Sequence, residues 1–148
     1  MAQNTKTVDN TATSLSIATY NVRKAIGRDY RRDPKRILES VSNLDVDIVA
    51  LQEADYRFKQ RQPIFTSEQV RHVTSMHTVA LDHSQNGLGW HGNILLVNPK
   101  IRIVHARTIE LPGLEPRGGL LVDLAYDGRE IRIVSAHLGI FAAYRRRQ

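Results

Sequence analysis

The chain has 148 residues, enough for one domain with a core of its own, and its 41% hydrophobic and 24% charged residues fit a soluble globular protein with no run long enough to span a membrane. The absence of cysteine excludes disulfides, thiolate metal sites and a cysteine nucleophile, so any metal must be held by oxygen or imidazole. With 21 Lys and Arg against 15 Asp and Glu, the formal charge of +6 favours polyanionic partners such as nucleic acid or an acidic membrane surface; because the basic residues are scattered, a plainly solvated basic surface is the alternative.

Met1 to Thr13 form a polar, Thr- and Asn-rich tail without the apolar centre of a secretory signal, so a cytoplasmic protein is expected, with one domain over residues 14–148. Leu15 to Asn21 (LSIATYN) has the pattern of a strand. Asp33 before Pro34 supplies an N-cap and a proline at the first helical position, opening a helix toward Leu44. Asp47 to Gln52 (DIVALQ) is a compact apolar strand, and strand, helix, strand at this spacing is a βαβ crossover with two parallel strands in one sheet. Thr66 and Gln69 have capping-box spacing ahead of a helix across Glu68 to Met76, and His77 to Asp82 follows as a strand. Asp82 to His91, polar and glycine-bearing, is a loop.

Apolar runs then recur at Asn93 to Val97, Ile101 to Glu110, Gly119 to Tyr126 and Ile131 to His137. The last two flank Asp127-Gly128, residues suited to the positive φ values of a type I′ hairpin turn. That turn sets Tyr126 opposite Arg129, Asp123 opposite Arg132 and Gly118 opposite His137. The Asp123 and Arg132 pairing reads as a cross-strand ion pair worth ~0.2 to 1 kcal/mol rather than as chemistry.

Side chains alternate along a strand, so residues of one parity share a face. Asn21 shares parity with Leu15 and Ile17, Glu53 with Val49 and Leu51, and His137 with Ile131 and Ile133. Three strand ends thus place an amide, a carboxylate and an imidazole on the parity of apolar residues, an arrangement that would gather them at the rim of a core. Glu53 is a candidate Mg²⁺ ligand, because this hard ion takes oxygen ligands and commonly uses one or two carboxylates beside retained waters; a solvated strand-end glutamate is the alternative. Asn21 could hold a metal-bound water or a phosphate oxygen, or serve only the turn that follows it. His137 could stabilise phosphate charge or act as an acid, or be a hydrogen-bonded structural histidine.

His72, His77, His83, His91 and His105 show no ligand spacing and read as surface or structural groups. Ser135 and His137 lie two apart, but no Gly-x-Ser-x-Gly elbow accompanies them, and neither a P-loop nor Gly-x-Gly-x-x-Gly is present.

TYNVRKAIGRD (Thr19 to Asp29), DIVALQEAD (Asp47 to Asp55), HGNILLV (His91 to Val97), EPRGGLLVDL (Glu115 to Leu124) and IRIVSAHLG (Ile131 to Gly139) resemble, in this order, the successive blocks of the endonuclease/exonuclease/phosphatase, or DNase-I-like, superfamily. The resemblance implies an α/β fold that is part of a four-layer α/β/β/α sandwich, a metal-dependent phosphoester hydrolase, and Mg²⁺ or Mn²⁺ as cofactor. Residue by residue, Glu53 matches the family's metal ligand, Asn21 the asparagine beside metal and phosphate, His137 the histidine at the scissile phosphate and Asn93 a substrate-binding position lining the site. Substrates among relatives include DNA, RNA, phosphoinositides, phospholipid headgroups and small phosphoesters.

The sequence departs from the family at Val97-Asn98, where Ser-Arg is common, and it contains neither the Gly-Asp-x-Asn nor the Ser-Asp-His block that supplies the general base, further metal contacts and a second histidine. The expectation is an N-terminal half of the domain, hydrolysing phosphoesters very poorly or not at all by itself, with Asp29 and Asp55 as the candidate replacements for the base. Two rival readings are a non-catalytic basic module that holds nucleic acid through its phosphates and a half-domain that pairs with another chain to cover its apolar strand faces.

Overall fold

The computed structural model describes residues 14–56, 62–81, 88–112 and 117–138 together with Arg146. The polar tail and most of the loop assigned to Asp82 to His91 lie outside the described residues. In chain order the elements are β1 (Ile17–Asn21), α1 (Pro34–Ser42), β2 (Ile48–Gln52), α2 (Ser67–Thr74), β3 (His77–Thr78), β4 (Ile94–Val97), β5 (Arg102–Leu111), β6 (Arg117–Tyr126) and β7 (Arg129–Ala136). The first sheet has the order β1-β2-β4-β3 and the second β5-β6-β7.

Both helix starts follow from their caps. Asp33 Oδ1 accepts from the Arg36 amide at 3.1 Å, with Pro34 in the first turn. Thr66 and Gln69 form the reciprocal capping box, Gln69 N to Thr66 Oγ1 at 3.1 Å and Thr66 N to Gln69 Oε1 at 2.8 Å. The β3 strand is shorter than the sequence implies. Its ladder with β4 uses only Val97 and Leu96, after which Val79 makes one further bond, its N–H to Leu95 O at 3.0 Å.

The β1 and β2 strands are parallel, with Ile17 beside Ile48 and Asn21 beside Gln52, as the crossover requires. The β6–β7 hairpin has the register set by its turn: Tyr126 faces Arg129, Asp123 faces Arg132, and Asp127 and Gly128 have φ of 50° and 70°. Arg132 grips Asp123 with Nε–Oδ1 at 2.6 Å and Nη2–Oδ2 at 3.0 Å. A bulge between Ile103 and His105 lets Ile103 and Ala106, of opposite parity, pack against one core.

Two hydrophobic clusters divide the molecule into layers. One packs Ile37, Leu38 and Val41 of α1 and Val70 of α2 on Val49, Leu51, Ile94 and Leu96. The other joins the sheets, with Ile48, Ala50, Leu95 and Val97 against Leu120, Val122 and Leu124. The β2 and β4 strands are therefore apolar on both faces, and truncating a fully buried leucine such as Leu51 or Leu96 to alanine removes about 2 to 5 kcal/mol. Helices, first sheet and second sheet make three layers of the sandwich among the described residues. Within that same set, no helix is long and apolar enough to cross a membrane.

The layers correct the parity argument for two of its three strands. Ala18 and Tyr20 of β1 pack on the helix side, while Ile17 is 52% exposed on the edge strand. Since Ile17 pairs with Ile48 and Ala18 with Val49, Asn21 shares a face with Ile48 and Ala50, not with Val49 and Leu51. In β7 the expectation holds, with Ile131 and Ile133 partly buried, Ser135 buried and the residues between them exposed.

Asp47 fastens three segments before β2 begins. Its Oδ2 accepts from Ser16 N and Ser16 Oγ, both at 2.9 Å, and its Oδ1 meets Lys100 Nζ at 2.6 Å. The Lys100 hydrogen bond, then the Ser16 amide, lowers the Asp47 carboxyl from 3.8 to about 2, against the opposing effect of burial. A carboxyl whose folded value is depressed adds stability above its unfolded value and loses it as pH falls through the folded one. Wild-type stability from urea unfolding should therefore fall relative to Asp47→Asn between about pH 4 and pH 2, by roughly 1 to 2 kcal/mol once solvent screening around the half-exposed Lys100 is allowed for. Parallel wild-type and variant curves across that window would refute the assignment.

Candidate active site

Parallel pairing sets the C-terminal ends of β1 and β2 side by side. Glu53 follows β2 with φ of 53°, in the left-handed region that non-glycine residues seldom adopt. This ends the strand's alternation, so parity with Val49 and Leu51 does not govern where the side chain goes. Its Oε1 accepts from Asn21 Nδ2 at 3.0 Å, while Asn21 Oδ1 accepts from Arg23 N at 3.0 Å.

After β1 the chain doubles back through a left-handed turn in which Arg23, Lys24 and Ala25 have φ of 48°, 57° and 60°. Each such residue costs roughly 1 to 2 kcal/mol, so the surroundings must fix the turn. Val22 N donates to Gln52 O and Lys24 N to Glu53 O, both at 2.9 Å, and Ala25 is fully buried. The turn delivers Lys24 Nζ to 3.0 Å from Glu53 Oε2. Lys24 is a site residue that sequence reasoning missed; nothing in Arg-Lys-Ala announces three left-handed residues.

Burial alone would raise the Glu53 pKa, but the Asn21 hydrogen bond, the Lys24 hydrogen bond and charge, and the charge of His137 together bring it below the usual value. Glu53 is thus ionised at neutral pH. His137, half-buried beyond the end of β7, lies near enough for its charge to act on this carboxylate. The amide of Asn21 and the carboxylate of Glu53 thus meet where β1 and β2 end, and His137 follows the end of β7.

Asn93 is placed differently. It is 1% exposed, and its Nδ2 donates to Gly118 O at 2.9 Å and Trp90 O at 3.1 Å, tying the start of β4 to β6. Its Oδ1 finds no hydrogen-bond partner among the described residues. Nearby, His91 meets the edge of Trp90 with ring centroids 4.7 Å apart, and Asp55, 7% exposed, lies beneath Gly92. Asp29 is no free base: Arg36 holds it through Nη1–Oδ2 at 3.0 Å and Nη2–Oδ1 at 3.3 Å, lowering its pKa. Ser135 is buried and its Oγ meets no partner among the described residues.

Among the described residues no group of three or more His, Cys, Asp or Glu side chains gathers to hold a metal ion. In kind the donors suit a hard divalent ion, which can use one ionised carboxylate with waters. As arranged, Asn21 and Lys24 engage the two oxygens of Glu53.

A family model described as "Endonuclease/Exonuclease/phosphatase family" matches residues 18–147. The chain belongs to the endonuclease/exonuclease/phosphatase family. Solved structures agree in fold. TDP2 from C. elegans matches with a TM-score of 0.62 at 15% identity, covering 90% of this chain and 38% of that one. An endonuclease/exonuclease/phosphatase from Beutenbergia cavernae matches at 0.58 and 18% identity, covering 84% and 38%. D. rerio TDP2 complexed with single strand DNA product matches at 0.58 and 18% identity, covering 86% and 47%. The chain thus spans 38 to 47% of the length of these structures. A search of curated proteins found no match. Family membership accounts for the two-sheet α/β architecture.

Proposed function

We propose that this member of the family supplies part of a Mg²⁺- or Mn²⁺-dependent phosphodiesterase site that acts on nucleic acid. The observation that carries the proposal is the contact of Asn21 Nδ2 with Glu53 Oε1 at 3.0 Å, where the ends of β1 and β2 lie side by side. Glu53 would hold the ion, with Asn21 beside it; the ion, when bound, would polarise the phosphoryl oxygen and steady the leaving group. Asn21 orients the carboxylate through Nδ2. His137, when protonated, donates to a phosphate oxygen and offsets charge that builds there in the transition state. Nucleic acid is favoured among phosphoesters by the formal charge of +6 and by the DNA product on the D. rerio relative.

The test offers a generic phosphodiester, a phosphomonoester and a short single-stranded DNA to the chain, alone and joined to the second half of a family domain, with Mg²⁺, Mn²⁺ or chelator. Slow, chelator-sensitive cleavage of the diester and the DNA is expected from the chain, faster cleavage from the joined form, and a loss of about 10²-fold in the joined form with His137→Ala. If neither form shows chelator-sensitive turnover and DNA binding is steeply salt-dependent without metal, the non-catalytic basic module is the correct reading.

A further inference from the structure

Glu53 already has a cation. Lys24 Nζ lies 3.0 Å from Oε2, and the two side chains are only 28% and 27% exposed. The contact is anchored at both ends. Lys24 N donates to Glu53 O at 2.9 Å, and Lys24 O accepts from Arg32 Nε at 3.1 Å, whose guanidinium stacks 4.9 Å from the Tyr56 ring centre. Lys24 is also the middle residue of the left-handed turn, with buried Ala25 after it. A strained segment clamped from several sides keeps one ammonium on the oxygen of Glu53 that Asn21 leaves open.

We propose that Lys24 is a tethered counter-cation that competes with a divalent ion for Glu53 Oε2, so that metal enters only as the ammonium withdraws. This rests on the metal reading given above and specifies how that site is regulated. An ammonium has only donors to offer, so it cannot share a metal's coordination; it can only occupy the carboxylate or repel the ion from a few ångströms away. While it is in place, Glu53 stays ionised and aimed at the rim. Once displaced, it leaves a positive charge where an incoming phosphate arrives, so phosphate and metal should each favour binding of the other. Metal would then load with substrate rather than ahead of it.

The experiment measures Mn²⁺ binding to the 148-residue chain by electron paramagnetic resonance of the free ion, with and without inorganic phosphate. Lys24→Met should bind Mn²⁺ roughly tenfold tighter than wild type, and phosphate should tighten binding to wild type more than to Lys24→Met. Lys24→Arg, which keeps the cation, should stay near wild type, and Glu53→Gln should lose the site. If wild type binds, Glu53→Gln does not, and Lys24→Met binds no tighter than wild type, the counter-cation role is wrong while the metal reading stands. If Glu53→Gln binds as wild type does, both are wrong. Should circular dichroism show that Lys24→Met fails to fold, the Lys24 Cε resonance of wild type, assigned by its loss in Lys24→Arg, decides the matter. It should move on addition of Mg²⁺, and an unmoved signal at saturating Mg²⁺ overturns the proposal.

Discussion

Glu53→Gln should lower chelator-sensitive phosphodiester hydrolysis by about 100-fold or more in the form joined to a second family half, where turnover is fast enough to measure. The substitution keeps the shape and the capacity to accept from Asn21, but it removes the charge that a divalent ion requires. Charge stabilisation by a bound ion is worth several kcal/mol in the transition state, and each 1.36 kcal/mol is tenfold in rate, so 100-fold is a lower figure. The side chain is only partly buried and its neighbours are polar, so the fold should survive, and an unchanged circular dichroism spectrum would confirm that the loss is chemical. The ionised carboxylate also anchors the ammonium of Lys24, which in the variant faces a neutral amide. Full activity in Glu53→Gln would move the cation to another carboxylate, of which buried Asp55 is the nearest candidate along the chain.

Gly118→Ala should lower stability strongly although it lies outside the hydrophobic core. A Cβ there would lie 2.6 Å from Trp90 Nε1 and 2.7 Å from His91 Cδ2, and closer still to Trp90 Cδ1. These are rings in a packed corner, not the free ends of flexible chains. Overpacking of this kind costs about 1 to 3 kcal/mol. Moving the strand to relieve it would also break the bond from Asn93 Nδ2 to Gly118 O, leaving one N–H of a buried amide unsatisfied at roughly 1 to 3 kcal/mol. Together a loss of about 2 to 6 kcal/mol is expected, a fall in Tm of roughly 5 to 20 °C. Gly119→Ala provides the control, because its Cβ would come no nearer than 3.1 Å to Ser135 O. Equal shifts in the two variants would show that the Trp90 corner yields more readily than its geometry implies.

Much of this molecule was legible in its sequence, for reasons that differ by element. Asp33-Pro34 and the Thr66–Gln69 pair fixed both helix starts because capping is a local hydrogen-bond requirement that few residues meet. Asp127-Gly128 fixed the hairpin register because positive φ at two successive positions is tolerated by few pairs. Alternation succeeded in β7, which has one buried face, and misled in β2, where both faces are apolar and parity carries no information about direction. In β1 it took Ile17 for a core residue because the pattern cannot tell that the strand lies at an edge. The juxtaposition of Asn21 and Glu53 was expected, but it arises by another route: parallel register brings the strand ends together, and a positive φ at Glu53 releases its side chain from the alternation. Asn93, which the resemblance implied would line the site, is a buried clasp between β4 and β6, a role the sequence could not show because it depends on a partner 25 residues away. Lys24 was invisible for a similar reason, since its position depends on backbone strain sustained by Gln52, Glu53 and Ala25.

The Asp-Gly hairpin and the parallel crossover also differ in how quickly they can form. Tyr126 meets Arg129 across a two-residue turn, and a hairpin of this kind closes in about 1 to 10 μs. Ser16 must find Asp47 across 31 residues, with α1 between them, before the first parallel bonds can repay the closure entropy. The strand that leads to His137 is therefore expected early in refolding, and the meeting of Asn21 with Glu53 late. Chains halted between the two would carry ordered hairpins and no assembled rim, so acquisition of the site reports completion of the fold more faithfully than secondary-structure content does.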